Sequence, residues 1–448
     1  PINRGVRQGC VLAPTLFNLF INDIGDFLLQ SRNDSPTIGG LRTPILTFAD
    51  DSLLLSCTAS GLQNLLNRFI DYLTSRGLEI NVNKTKCMTF KARRGKSYRF
   101  FTKGLALENV NSIDYLGIRL SDNMNWANHL QKLVLITQQR GGAIVCMHHK
   151  SQSKAVTPAL QVYRLQVQSA ALYGAELWGH FSPTQLSIAE NNFVRSLLKI
   201  PSSTPLLPLY WDLNLKQIHL LAALKPLLYW IRVWCIPELH VYRLCLEELL
   251  TLNIDIPWLV HIKSNFIKLG YGDFWHNRNS IPANASRTLK CHYWNSVYAQ
   301  AHTDPNTGSL TLHYLSFKLY PKFETFLDVI EPPLAKSLYL KFRLGSLPTR
   351  VFCSKWTNQT NPQPLLCPSC GNADESIFHL LFICPSYQHL RKLWLKPLCN
   401  NLGIRNITVA YRIFLSDTSF LIVFTLSKFL LKVWHVRTRN LKSLDHEI

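Results

Sequence analysis

Acidic residues are scarce in this sequence. Against 48 Lys and Arg stand only 27 Asp and Glu, giving a net charge of +21 and a pI near 9.6. A globular chain so short of negative charge expects a polyanionic partner. Long unbroken apolar runs are lacking too. The most apolar stretches, residues 218–235 and 420–433, each contain Lys or Arg and read as buried helices, not membrane spans. There is no polybasic amphipathic helix and no lipidation motif, so no membrane partner is expected. No secretory signal opens the chain, and its twelve Cys are scattered, which together point to reduced thiols in a nuclear or cytoplasmic setting. No internal repeat or long low-complexity tract is present. Nor is there an initial Met: the chain opens at Pro1 in what reads as the middle of a domain, as a fragment of a longer product would.

What is present is a substantial core. Hydrophobic residues make up 47% of the chain, with 11 Trp and 16 Tyr, which excludes general disorder. A length of 448 residues allows roughly two to four domains.

The stretch TPILTFADDSLLLSC, residues 43–57, sets two apolar runs around a pair of adjacent carboxylates, Asp50 and Asp51. This is the pattern of a β-hairpin with the acids at or beside its turn. Two neighbouring acids repel, and a divalent cation neutralises them well; Mg²⁺ commonly takes one or two protein carboxylates together with substrate phosphates. A solvated Asp-Asp turn is the plainer reading of the dipeptide by itself.

Around that hairpin the chain alternates helix and strand. GVRQGC at 5–10 is a loop with Arg7, Gln8 and Gly9, where glycines let the backbone approach a ligand and side chains offer donors to phosphate or base. A helix should follow from Pro14 through Leu28. Ser60 should cap a second helix that stops at Gly77. Strands are expected at 79–82 and 87–90, around a basic turn carrying Lys84 and Lys86. Beside phosphates such a lysine balances charge or protonates a leaving group; alone it is a surface charge. YLGIRL at 115–120 reads as a strand, with Gly117 at a bulge or a close backbone approach. Residues 91–103 interleave Lys and Arg with Tyr98, Phe100 and Phe101, as a nucleic-acid contact or a solvated face would. Residues 121–240 read as nearly all helix, 240–350 as mixed, and the chain closes on a helical segment holding Phe420, Val423, Phe424, Leu426 and Leu430.

A second cluster, Cys367-x2-Cys370-x8-His379-x4-Cys384, supplies three thiols and one imidazole, a full tetrahedral Zn²⁺ set. Five steps along an ideal helix would turn Cys384 about 140° away from His379, so a helix between them must end near Cys384. Pro385 supplies that stop. Buried free thiols and a core His are the alternative, and Cys353, His389 and Cys399 are competing ligands nearby.

The order of these pieces carries more than any one of them. GVRQGC, then FADD, then GLEINVNKTK, then YLGI resembles the reverse transcriptases of LINE-type non-LTR retrotransposons. LYGAELWG at 172–179, YLKFRLGSLPTR at 339–350 and the Cys/His segment extend the likeness. The resemblance implies an α+β fold: a partial right-hand polymerase palm at 1–120, a helical thumb and connector at 121–240, a mixed linking region at 241–350, and a mostly helical carboxyl-terminal region with a zinc knuckle at 351–448. It implies RNA-directed DNA synthesis from a primer at a nicked target, with an RNA template, a DNA primer and dNTPs as partners. Asp50 and Asp51 would hold Mg²⁺, Asp50 the more directly. Lys84 would assist at the phosphates, and Phe48 would brace the hairpin. Arg7, Gln8 and Gly9 would face nucleotide and template. Leu116 and Gly117 would support the primer. Cys367, Cys370, His379 and Cys384 would hold a structural or RNA-binding Zn²⁺. A third aspartate of the family's site belongs on a strand before the glycine loop, where this sequence has four residues. The 448 residues alone are therefore expected not to extend a primer. Nucleic-acid binding without catalysis is the competing expectation.

Overall fold

The computed structural model describes residues 9–30, 34–90, 98–151, 155–181, 184–252, 254–354 and 365–445. They form two compact units, one of Pro1–His129 with Leu227–Ser286, the other of Leu130–Pro226 with Arg287–Ile448. All twelve cysteines are free thiols. Helix and sheet are mixed, and the described strands make only two-stranded pairings.

In the first unit the helix Ala59–Ser75 organises the amino-terminal part. Leu65, Phe69 and Tyr72 on one side meet Ile24 and Leu28, while Leu66 on another meets Cys87, Phe100 and Leu107. Each such buried side chain stabilises the fold by about 1.5–3 kcal/mol. Thr58, not Ser60, caps this helix, accepting a bond from the Gly61 N–H at 3.0 Å. Its hydroxyl also bonds Asp34, a partner Ser60 lacks among the described residues. Gly77 ends the helix in the left-handed region, as expected.

Local pattern misleads at three places here. The helix expected from Pro14 to Leu28 is two helices, Ala13–Phe20 and Ile24–Leu29. The break places the Asp23 carboxylate against the Tyr72 hydroxyl at 2.6 Å and the Arg76 guanidinium. The hydrogen bond from Tyr72, ahead of the Arg76 charge, holds Asp23 below the usual carboxylate range. The strands expected at 79–82 and 87–90 shrink to Lys86–Cys87, paired in parallel with Glu108–Asn109. Asn81 takes the N–H groups of Lys84 and Thr85 and bends the chain before a longer strand can form. YLGIRL is the middle of a hairpin, not one strand: Ser112–Tyr115 pairs with Ile118–Ser121. Its two-residue turn sets Leu116 at φ 48° and Gly117 at φ 82°, the left-handed pair that twisted hairpins require. Gly117 is thus a turn residue and marks no bulge.

The second unit is built on one large core. The helices Thr184–Leu198, Leu206–Asp212 and Pro333–Arg343 contribute much of it. Arg343, from the YLKFRLG stretch, is 1% exposed. It lies 3.7 Å from Asp212 and 3.8 Å from Glu324 and donates to the Leu415 carbonyl at 2.9 Å. Tyr314 and Lys318 complete this buried ionic group around Asp212. Gly179, from LYGAELWG, lies so close to its neighbours that a Cβ there would sit 2.1 Å from the Ala222 carbonyl oxygen. Only glycine fits.

The chain's last helix, Phe420–Asp445, buries Ile422, Val423, Leu426, Phe429, Leu430 and Val433 at three- and four-residue steps. Phe420 and Phe424, which the apolar pattern counts with that face, are exposed instead. No single helix among the described residues is long and apolar enough to cross a membrane. The helices Ile407–Ser416 and Phe420–Leu441 pass that test only as a pair bent by 107°.

Candidate active site and metal centre

The carboxylate pair sits where the sequence pattern puts it. Strands Ile45–Phe48 and Asp51–Leu54 pair antiparallel, with Phe48 opposite Asp51 and the turn at Ala49 and Asp50. Ala49 takes φ 53°, which tightens the turn. Asp50 is therefore in the turn and Asp51 on the strand. The two acids thus do not alternate across the faces of one strand. Both acids are exposed, and neither carboxylate is hydrogen-bonded or ion-paired among the described residues. Phe48 is 63% exposed beside them. Ile45 and Leu54, at the other end of the hairpin, anchor it on the unit's core.

Tyr115, on the hairpin 112–121, feels the charge of Asp51. Burial, and then the charge of Asp51, push the Tyr115 hydroxyl above its usual range. Leu116 and Gly117 follow Tyr115 directly in the turn. So the structure brings Phe48, Asp50 and Asp51 to one tip, with the Leu116–Gly117 turn on the neighbouring hairpin. Lys84 is exposed in the Asn81–Thr85 turn, its N–H held by the Asn81 carbonyl at 3.1 Å. Lys86, two residues on, is committed to Glu108. Gly9 is exposed at φ 84°, and Arg7 and Gln8 lie outside the described residues, as do residues 91–97 of the basic stretch 91–103. Two unshielded oxygen ligands at a tight turn suit a hard divalent cation such as Mg²⁺.

The Cys/His cluster is gathered in space. One ligand atom from each of Cys367, Cys370, His379 and Cys384 lies within 4.8 Å of all the others. The Cys367 and Cys384 sulfurs are 3.8 Å apart, and the Cys370 sulfur is 3.4 Å from His379 Nε2. Tetrahedral bonds of about 2.3 Å to zinc would separate two sulfurs by about 3.8 Å, so the donor set fits. Gly371, at φ 66°, turns the chain so that its N–H meets the Cys367 carbonyl at 2.8 Å. The helical turn His379–Ile383 is π-type, and its closing bond runs from the Cys384 N–H to the His379 carbonyl at 2.8 Å. The wider π turn, which rotates less per residue than an α turn, and an extended Cys384 return both ligands to one point. Burial raises the Cys367 thiol and, with the charge of Cys367, pushes Cys384 up to about 12; burial lowers His379. Two thiols this sheltered need a cation nearby to ionise.

Sequence reasoning missed the residues that hold this centre in place. Glu375, between the second and third ligands, is fully buried and takes a bidentate bond from Arg437 of the last helix at 2.5 and 2.7 Å. It also accepts from the Arg350 N–H at 2.7 Å. Arg391 donates to the Cys384 carbonyl at 2.5 Å. One signal was available: Arg437 falls on the helix's buried face, four residues after Val433.

Comparison with known proteins supports the pattern of the amino-terminal segment. Residues 1–120 match the family described as reverse transcriptase (RNA-dependent DNA polymerase). The chain is 26% identical over 226 residues to the probable RNA-directed DNA polymerase from transposon BS of Drosophila melanogaster, covering 48% of this chain and 24% of that protein. It is 23% identical over 193 residues to the RNA-directed DNA polymerase from mobile element jockey of the same species, covering 42% and 20%. Over 88 residues it is 40% identical to the Pol polyprotein from the type-2 retrotransposable element R2DM, also of that species, covering 19% and 8%. The matched segments thus span a quarter or less of those relatives.

Proposed function

Because this chain is related to the RNA-directed DNA polymerases of non-LTR retrotransposons, we propose that it carries the catalytic hairpin of RNA-templated DNA synthesis. The observation that carries the reading is the tip of the 45–54 hairpin. There Asp50 and Asp51 face solvent without a protein partner, inside the segment that matches reverse transcriptases. Mg²⁺, when bound, supplies charge neutralisation at the reacting phosphates. Asp50 and Asp51 hold it, and Phe48 supports the tip. Leu116 and Gly117 carry the primer end towards it. Lys84 faces phosphate, and Arg7, Gln8 and Gly9 face nucleotide and template. The palm is residues 1–120, the helical thumb and connector 121–240, the linking region 241–350, and the knuckle with its helices 351–448.

The knuckle residues Cys367, Cys370, His379 and Cys384 hold Zn²⁺ as a structural or RNA-binding element, since all four positions come from protein. The working setting is the nucleus or cytoplasm, where thiols stay reduced. The 448 residues offer Asp50 and Asp51 and no assigned third carboxylate. Nucleic-acid binding without chemistry is the competing reading.

The test is dNTP incorporation on a primed RNA template, first by the 448-residue polypeptide and then with the amino-terminal polymerase segment of a relative added. Activity in the second case that Asp50→Asn removes supports the catalytic reading. RNA binding with no activity in either case supports binding alone.

A further inference from the structure

The helix Phe420–Asp445 has two unlike faces. The inner one is buried in the core and tied by Arg437 to Glu375. The outer one carries Phe420, Phe424, Lys428, Lys432, His435 and Arg439 at steps of three or four, which a helix sets in one stripe. Phe420 and Phe424 are 66% and 43% exposed. Their rings stack on each other with centroids 5.6 Å apart and planes 21° apart. The Lys428 ammonium stands over the Phe424 ring at 5.5 Å. Lys432, His435 and Arg439 are exposed, and none has a hydrogen-bonding or ionic partner among the described residues.

The surrounding chain is short of counter-charge, with Asp445 only at the far end of the same helix and Glu447 just after it. Between Ser376 and Leu444 it has ten Lys and Arg and one acidic residue, Asp417. That carboxylate accepts the Ser419 N–H at 2.7 Å, in the connection just before the helix. The stripe therefore joins two exposed flat rings to a line of cations whose partners must come from outside. From Phe424 to Arg439 it runs about 22 Å at 1.5 Å per residue, room for several nucleotides.

We propose that this outer face is a docking surface for single-stranded RNA. Phe420 and Phe424 offer faces on which unpaired bases stack, and Lys428, Lys432 and Arg439 follow the phosphates. A duplex hides its base faces and gains nothing from the rings. A bilayer is the wrong partner, because the apolar face of this helix is already buried in the protein. The choice of RNA over DNA rests on the reverse transcriptase reading; the rest stands on the surface itself.

The test is fluorescence anisotropy of labelled oligo(rU) with the full chain, titrated across salt. Phe420→Ala with Phe424→Ala should weaken oligo(rU) binding at least tenfold at fixed salt, leave the salt slope unchanged, and leave binding of an RNA duplex unchanged. Lys432→Gln with Arg439→Gln should reduce the slope of log affinity against log salt by about 1.4, at about 0.7 per lost phosphate contact. All four side chains are exposed, so unchanged melting temperatures serve as the folding control. Wild-type affinity and slope in both variants would overturn the proposal while leaving the polymerase reading intact. So would a phenylalanine variant that loses binding to phosphatidylserine vesicles and keeps oligo(rU). Absent primer extension even after the amino-terminal segment of a related polymerase is added, beside stripe variants that do lose RNA, would count against the polymerase reading alone.

Discussion

Glu375 and Arg437, 62 positions apart, meet in a buried bidentate ion pair that ties the metal-ligand loop to the last helix. Breaking such a pair from one side strands a buried charge and costs about 3–5 kcal/mol. Arg437→Met should therefore lower the denaturant midpoint sharply, and adding Glu375→Gln should restore part of the loss. Because Glu375 lies between ligands, Arg437→Met should also weaken zinc binding by about 10–100-fold in chelator competition. A variant that keeps wild-type zinc affinity would show that the loop is positioned without this pair.

Protein purified without chelator should contain one zinc per chain. Cys384→Ser or His379→Ala should lose it and loosen the second unit, because the ligands sit in that unit's core. Metal analysis together with hydrogen exchange across residues 365–400 reads both effects. A metal-free wild type with full protection there would reduce the cluster to buried thiols and a core histidine.

Glu190 predicts a pH dependence. It is fully buried, accepting the Ile218 N–H at 2.8 Å and the Gln168 amide at 3.2 Å. Burial outweighs those bonds and raises its pKa from 4.5 to about 7. A folded-state pKa above the unfolded one means that the folded state binds the extra proton. The stability this contributes is full below about pH 4.5 and is lost as pH rises through about 7, a swing on the order of 3 kcal/mol. Urea midpoints between pH 5 and 8 should fall more steeply in the wild type than in Glu190→Gln. Parallel slopes would contradict the assignment.

Gly117 takes φ 82° in a two-residue turn. Gly117→Val should cost the 112–121 hairpin about 1–2 kcal/mol. It should also impair any primer extension more than it lowers the global melting temperature. A variant that extends normally would place primer support elsewhere.

The parts legible in the sequence were those whose cause is local. The FADD hairpin announces itself by apolar flanks around a polar turn. The Cys/His set announces itself by spacing, and Pro385 ends the turn after His379 as that spacing demands. Local pattern failed where a distant partner decides. The break at Asp23 answers to Tyr72 and Arg76, and the helix cap at Thr58 answers to Asp34. Leu116 has no intrinsic taste for φ 48°; the strands on either side impose it. The joining of Leu227–Ser286 to Pro1–His129 leaves no periodicity to read.

Asp50 and Asp51 are exposed and unpartnered, so Asp50→Asn and Asp51→Asn should leave stability within about 0.5 kcal/mol. That makes them clean probes of the central claim, that this tip holds the divalent cation beside primer and template. The most direct measurement puts Fe²⁺ in place of Mg²⁺, with the chain bound to a primed RNA template and a dNTP, and maps oxidative backbone cleavage. Cleavage centred on residues 48–52, competed by Mg²⁺ and lost in Asp50→Asn with Asp51→Asn, is the predicted result. Cleavage that persists in that double variant, or that centres on another part of the chain, would contradict it.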